Sequence, residues 1–213
     1  MLHPGAEVDE RSARVEVDGR PVSIQPKRYV IVNKPRGPIS TVADQRGRQT
    51  VLDLLPKGDE RLYPAGRLDA DTEGLLLITN DGELTYRLTH PRYGVEKVYE
   101  AEVRGSLSRH DIERLEAGMM LAEGHTGLAK VRMLKERGET SLVEITVHAG
   151  RKRMVRRMFE AVGHRVIALR RTRIGPLGLG ELRPGEWRAL TQQEVARLKA
   201  AVAKETAPES GAG

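Results

Sequence analysis

The sequence predicts an α+β fold built on a mostly antiparallel sheet. Segments with strand character outnumber those with helix character, and the two do not follow the strict strand–helix alternation of a parallel α/β protein. Several strands switch apolar and polar residues position by position, the mark of strands with one face buried.

Residues 1–14 are polar and read as a disordered lead rather than a signal sequence. ARVEVDGRPVSI alternates at Val15 and Val17, turns at Asp18-Gly19 and resumes at Val22 and Ile24, which is the pattern of a small hairpin. YVIVNKPRG is a short buried strand stopped by Pro35 and Gly37. Thr50 followed by Asp53 forms a capping-box signature for a short helix that Pro56 ends. Gly66-Arg67-Leu68-Asp69 reads as a tight turn, and EGLLLIT after it as a strand buried on both faces. Asn80-Asp81-Gly82 opens a short helix with Leu84 and Leu88 on one side.

KVYEAEVRG places Tyr99, Ala101 and Val103 on one face and Glu100 and Glu102 on the other. Ser108 and Asp111 cap a helix that Gly118 ends, and LAKVRML and SLVEITVH are two further strands. RKRMVRRMFEAVG reads as one amphipathic helix with Met154, Val155, Met158, Phe159 and Val162 as its apolar stripe. RVIALRRTRIG reads as a strand exposing Arg171 and Arg173 opposite Arg170 and Thr172. EWRAL is a last strand, and Thr191 caps a terminal helix before a tail, 205–213, that is disordered by composition.

The 213 residues can bury a real core, and 38% hydrophobic with 31% charged is a globular composition. Lysine and arginine exceed aspartate and glutamate by 36 to 30, a surplus of +6 that suits a polyanionic partner. There is no cysteine, so disulfides and thiolate metal sites are excluded, in keeping with a cytoplasmic location. Apolar runs such as LLLI are far too short to span a bilayer, so no membrane role is expected.

Three carboxylates crowd one segment, Asp69, Asp71 and Glu73. Their spacing and Gly74 match the first half of a calcium loop, but position twelve is Asn80 rather than a bidentate glutamate and the residues between want to be a strand. No phosphate-cradling glycines lie nearby for a phosphotransferase. The plain alternative is a polar turn into a buried strand, with Leu68 as an apolar anchor between Arg67 and Asp69. No metal is expected, since His90, His148 and His164 also lack ligand spacing.

GRLDADTEGLLLITNDGEL resembles the signature of the RsuA-type branch of the ribosomal RNA pseudouridine synthases. NKPRG (33–37), RQTVLDLLP (48–56), RLTHPRYGVEKVY (87–99), GRKRMVRRMFEAVGH (150–164) and LRRTRIGPLGLGELRPGEWRALTQQE (169–194) resemble it in order and spacing. RLTHPRYGVEKVY leans toward RluB-like members, which act on large-subunit RNA.

The resemblance implies two lobes around a continuous, mostly antiparallel sheet, with Asp69 as nucleophile in a central cleft and no cofactor. It implies Arg156 as the cation that keeps a buried Asp69 ionised. It also makes Tyr99, a core tyrosine on the bare sequence, the ring that stacks on the target base, with Val155 as a second apolar contact. Arg67 would serve base flipping, and Arg151, Lys152 and Arg153 read as a basic face contacting phosphate. The catalytic domain is placed at 26–204, with 15–25 as the last hairpin of an S4-like RNA-binding module. Met154 stands where the family usually carries Gln, which removes a polar contact. A monomer acting on ribosomal RNA is expected; the rival is a non-catalytic RNA-binding or ribosome-assembly protein on the same scaffold.

Overall fold

The computed structural model describes residues 15–17 and 20–22, as backbone only, and residues 25–58 and 60–203. The expected disordered lead and tail lie outside these residues. β1 (Val15–Val17) and β2 (Arg20–Val22) pair antiparallel with Val17 opposite Arg20, as the alternation predicted; the Asp18-Gly19 turn lies outside the described residues.

The main sheet has nine strands. β3 (Tyr29–Lys34), β4 (Tyr63–Pro64) and β5 (Glu73–Thr79) form one half. β6 (Lys97–Arg104) follows α1 (Gly82–Thr89), and α2 (Arg109–Ala117) leads to a small separate hairpin, β7 (Met120–Leu121) with β8 (Gly124–His125). β9 (Lys130–Arg137), β10 (Thr140–Val147), α3 (Met154–Ala161), β11 (Val166–Ile174), β12 (Leu177–Gly178), β13 (Trp187–Ala189) and α4 (Gln192–Ala201) complete the chain. The strand order is β13-β3-β5-β11-β6-β10-β9, with β4 on β5 and β12 on β11. Every pairing is antiparallel except β5 with β11, so the sheet is continuous, open and mixed.

The double-sided burial of LLLI follows from this position. Leu76 and Ile78 point into one core with Val30, Val32, Met158 and Phe159, beneath α2 and α3. Leu75 and Leu77 point into the other with Ile31, Leu84, Leu88 and Leu198, beneath α1 and α4. The caps expected from sequence are formed: Asp81 accepts from Leu84 N on α1, and Ser108 with Asp111 and Thr191 with Glu194 close capping boxes on α2 and α4. Thr50 and Asp53 close one as well, over a single 3-10 turn rather than an α-helix. Among the described residues, no helix is long and apolar enough to cross a membrane.

Two readings of the sequence need correction. The basic segment 151–153 is not helical: α3 begins at Met154, because Arg153 takes a left-handed conformation, φ 52°, that cannot continue a right-handed helix. The tight turn runs from Asp69 to Thr72, closed by Thr72 N to Asp69 O at 3.0 Å, rather than from Gly66 to Asp69.

The β5–β11 junction lasts for two residue pairs, Glu73 with Arg170 and Gly74 with Arg171. Farther along β5 the same edge is taken by β4, with Pro64 opposite Ile78. The sheet therefore forks, and the chain leaving β4 carries residues 65–72 into the gap. Gly74 makes the junction possible, since its φ is +109° and an added Cβ would lie 2.2 Å from the Arg171 carbonyl oxygen. Gly74→Ala should lower folding stability by more than about 3 kcal/mol, the upper end for backbone strain alone, as measured by urea unfolding.

Arg188 of β13 grips Glu194 of α4 through two bonds of 2.9 and 2.7 Å. That contact holds the Glu194 carboxyl down to about 2, from an ordinary 4.5. A depressed carboxylate stabilises the fold above its unfolded value and loses that contribution as pH falls through its folded one. Thermal unfolding of Glu194→Gln should show a weaker loss of stability than the parent between about pH 4.5 and 2.

Candidate active site

The fork encloses a cleft of about 480 Å³. One wall is the segment from Ala65 to Asp69, and the other is formed by Tyr99 of β6 and by Leu169, Arg171 and Ile174 of β11. Met154 and Val155 close it from α3, and Arg67, Arg151, Lys152 and Arg153 stand exposed at its rim. Of the site residues expected from sequence, Asp69, Tyr99, Arg67, Val155, Arg151, Lys152 and Arg153 thus line one cavity. Arg156 does not.

The turn that carries Asp69 is held through its main chain. Lys34, fully buried at the end of β3, donates from Nζ to Thr72 O at 2.9 Å, Pro35 O at 3.0 Å and Ala70 O at 3.4 Å. Gly37 N reaches Ala70 O at 2.9 Å, and Arg156 Nη2 donates to Asp71 O at 2.8 Å. Thr72 N closes on Asp69 O, so all four carbonyls of the turn have donors. Burial lowers Lys34 to about 8, against the pull of Asp69, Asp71 and Glu73. Ahead of the turn, Leu68 is buried in the core as the anchor expected from sequence, and its N–H and C=O both bond the buried Ser40 hydroxyl, at 3.1 and 2.9 Å.

The three carboxylates separate. Asp71 accepts two bonds from Arg153 Nη1, at 3.0 and 3.1 Å, and lies 3.4 Å from Arg156. Glu73 pairs with Arg36 at 3.0 Å. Asp69 has no side-chain hydrogen bond and no ion pair with any described residue. Two of the three carboxylates are therefore spent on arginines. Among the described residues, no group of three or more metal-ligating side chains is placed to hold an ion.

Arg156 lies behind the turn rather than in the cleft. Its guanidinium is pinned to Asp71 O, Asp71 Oδ2 and Val166 O, and it faces a second groove with Arg36, Arg153 and Arg165. Burial pushes its pKa below the usual arginine value; Asp71 is the stronger carboxylate acting on it, and Asp69 the weaker. It supports the turn from behind and meets Asp69 only through the longer-range field.

Two cations inside the cleft were not singled out from sequence. Lys97 is buried, donates to Val95 O at 3.0 Å and His148 O at 3.2 Å, and is lowered to about 8 by burial and then by Arg171. Arg171, expected at the surface, is only 3% exposed. Its Nε donates to Leu75 O at 2.9 Å, an acceptor on β5 just beyond the last β5–β11 pair, and its Nη1 lies 3.5 Å from the Tyr99 hydroxyl. The signal that could have found it is parity: Arg171 shares a face of β11 with buried Leu169, and the bulge that follows shifts Arg173 alone outward.

Residues 28–161 match the family model described as RNA pseudouridylate synthase. The chain is 45% identical over 191 residues to the ribosomal large subunit pseudouridine synthase B of Bacillus subtilis, covering 89% of this chain and 78% of that protein. It is 44% identical over 205 residues to an uncharacterised RNA pseudouridine synthase of Aquifex aeolicus, covering 96% and 82%. A crystal structure of a pseudouridylate synthase superposes with a TM-score of 0.75 at 29% identity, over 92% of this chain and 84% of that one. The chain belongs to the RNA pseudouridylate synthase family, enzymes that isomerise uridine to pseudouridine.

Proposed function

We propose that the chain isomerises one uridine of ribosomal RNA, in the large subunit, with Asp69 as the nucleophile. The observation that carries this is the isolation of Asp69: it is the one carboxylate of its cluster left free, on a rigid turn, in a cleft with an aromatic and an aliphatic wall. The 45% identity to a protein named for the large ribosomal subunit supports the choice of RNA.

In this reading the target uridine leaves its stack and enters the cleft. The ring rests between Tyr99 and Val155, and Arg67, Arg151, Lys152 and Arg153 take the phosphates on either side. Flipping costs a few kcal/mol and least for an unpaired nucleotide, so a loop or bulge is the natural target. The N1–C1′ bond breaks, the base turns, C5 bonds to C1′, the C5 proton leaves and N1 regains a proton. Every atom and electron is kept, so the reaction draws on no oxidant and no activated donor. Asp69 lowers the barrier by bonding transiently to the substrate while base and sugar are apart.

Asp69→Asn should abolish pseudouridine formation on a ribosomal RNA transcript while leaving RNA affinity near that of the parent. Appreciable turnover by the purified variant would sink the assignment. Arg156→Ala should cut turnover at least about tenfold by loosening the Asp71 carbonyl, with RNA affinity changed by less than about threefold. A parallel loss of binding and turnover would instead make Arg156 a phosphate contact.

A further inference from the structure

Resting on the reading above, we propose that Arg171 is a catalytic donor to the base. Its guanidinium hydrogen-bonds a carbonyl oxygen of the target uracil and stabilises the negative charge that the ring takes up when it parts from ribose.

Three observations on the cleft lead there. Arg171 lines the same cavity as Asp69 and Tyr99. It is held at both ends of its reach: Nε bonds the Leu75 carbonyl at 2.9 Å, and the guanidinium carbon lies 6.0 Å from the centroid of the Tyr99 ring. Its Nη2 is buried and has no hydrogen-bond partner among the described residues. A buried charged group with an unused donor is costly, and proteins keep that cost where the donor meets something in the working state. The other buried cation of the cleft, Lys97, already serves two backbone carbonyls.

The chemistry supplies the acceptor. When N1–C1′ breaks, its electron pair stays on the ring and spreads onto the two carbonyl oxygens. If the carboxylate instead adds to C6 of the ring first, the electron pair moves to C5 and the C4 carbonyl oxygen, one of the same two, receives the charge. A guanidinium buried in the cleft wall and fixed by its own hydrogen bond acts on such charge without having to reorganise. Tyr99 and Arg171 face each other across β6 and β11, so a base resting on the tyrosine comes within reach of the guanidinium.

The alternative is that Arg171 only props the fork and the Tyr99 hydroxyl. A single-turnover assay of the full chain on an unmodified large-subunit ribosomal RNA transcript, with RNA binding measured in parallel, separates the two. Arg171→Gln keeps a polar amide beside Leu75 but removes the charge, and should slow turnover about 100-fold with affinity changed by less than about threefold. Arg171→Lys, which restores a cation, should recover part of the loss. In a Tyr99→Phe background the Arg171→Gln penalty should persist, because the donor acts on the base and not through the hydroxyl. An Arg171→Gln rate within about threefold of the parent overturns the proposal. So does a penalty that disappears with Tyr99→Phe, or one that Arg171→Lys shares in full. An inactive parent would overturn the ribosomal RNA reading and this inference with it, whereas an Arg171 variant result on an active parent overturns this inference alone.

Discussion

The buried Lys34 ammonium, set under the turn of Asp69, is the constraint on which the rest of the site depends. Burying a charge is unfavourable unless it is compensated, and here the compensation is three backbone carbonyls, two of them from the turn itself. Arg156 and Gly37 take further turn carbonyls, so the main chain of residues 69–72 is bonded to β3, the loop after it and α3. A turn so held has little freedom to let its side chains rearrange. Asp71 and Glu73 are drawn outward to arginines, and Asp69 stays in the cleft without a partner.

The cations fall into two tiers that do different work. Lys34, Lys97, Arg156 and Arg171 are buried and each donates to backbone oxygens, and of these Lys34 and Arg156 also feel the charge of Asp69. Arg67, Arg151, Lys152 and Arg153 are exposed at the mouth, where salt screens their charge. Arg153, although exposed, also pairs with the Asp71 carboxylate. The left-handed backbone that removes it from α3 is what brings it there.

The cleft itself follows from how briefly β5 and β11 pair. Two residue pairs, made possible by Gly74, weld the halves of the sheet together, and the divergence beyond them leaves the Leu75 carbonyl to the Arg171 side chain. Arg171 is therefore tied to the geometry of the fork and to the chemistry inside it. The aliphatic Met154, buried at 3% exposure, fills the α3 side of the cavity.

Much of the fold was legible in the sequence because local rules decide it. Alternation gave β6, the apolar run gave β5, and capping residues placed α1, α2 and α4, each through contacts within a few positions of chain. Leu68 was legible as an anchor, and the motif resemblance marked Asp69 and Tyr99, both of which line the cleft. Beyond the turn and the start of α3, what stayed hidden concerns charged residues whose surroundings come from distant segments. Nothing near 171 in the chain says that a splayed strand will offer the Leu75 carbonyl, and nothing near 156 says that Asp71 will reach it before Asp69 does. By itself the sequence determined the longer strands, most of the helices and which carboxylate lies beside an apolar anchor, since hydrophobic period and capping act locally. Only the tertiary structure decided which carboxylate is left free and which arginine is buried beside it, because charges find their partners through space once the backbone has fixed where the unpaired carbonyls lie.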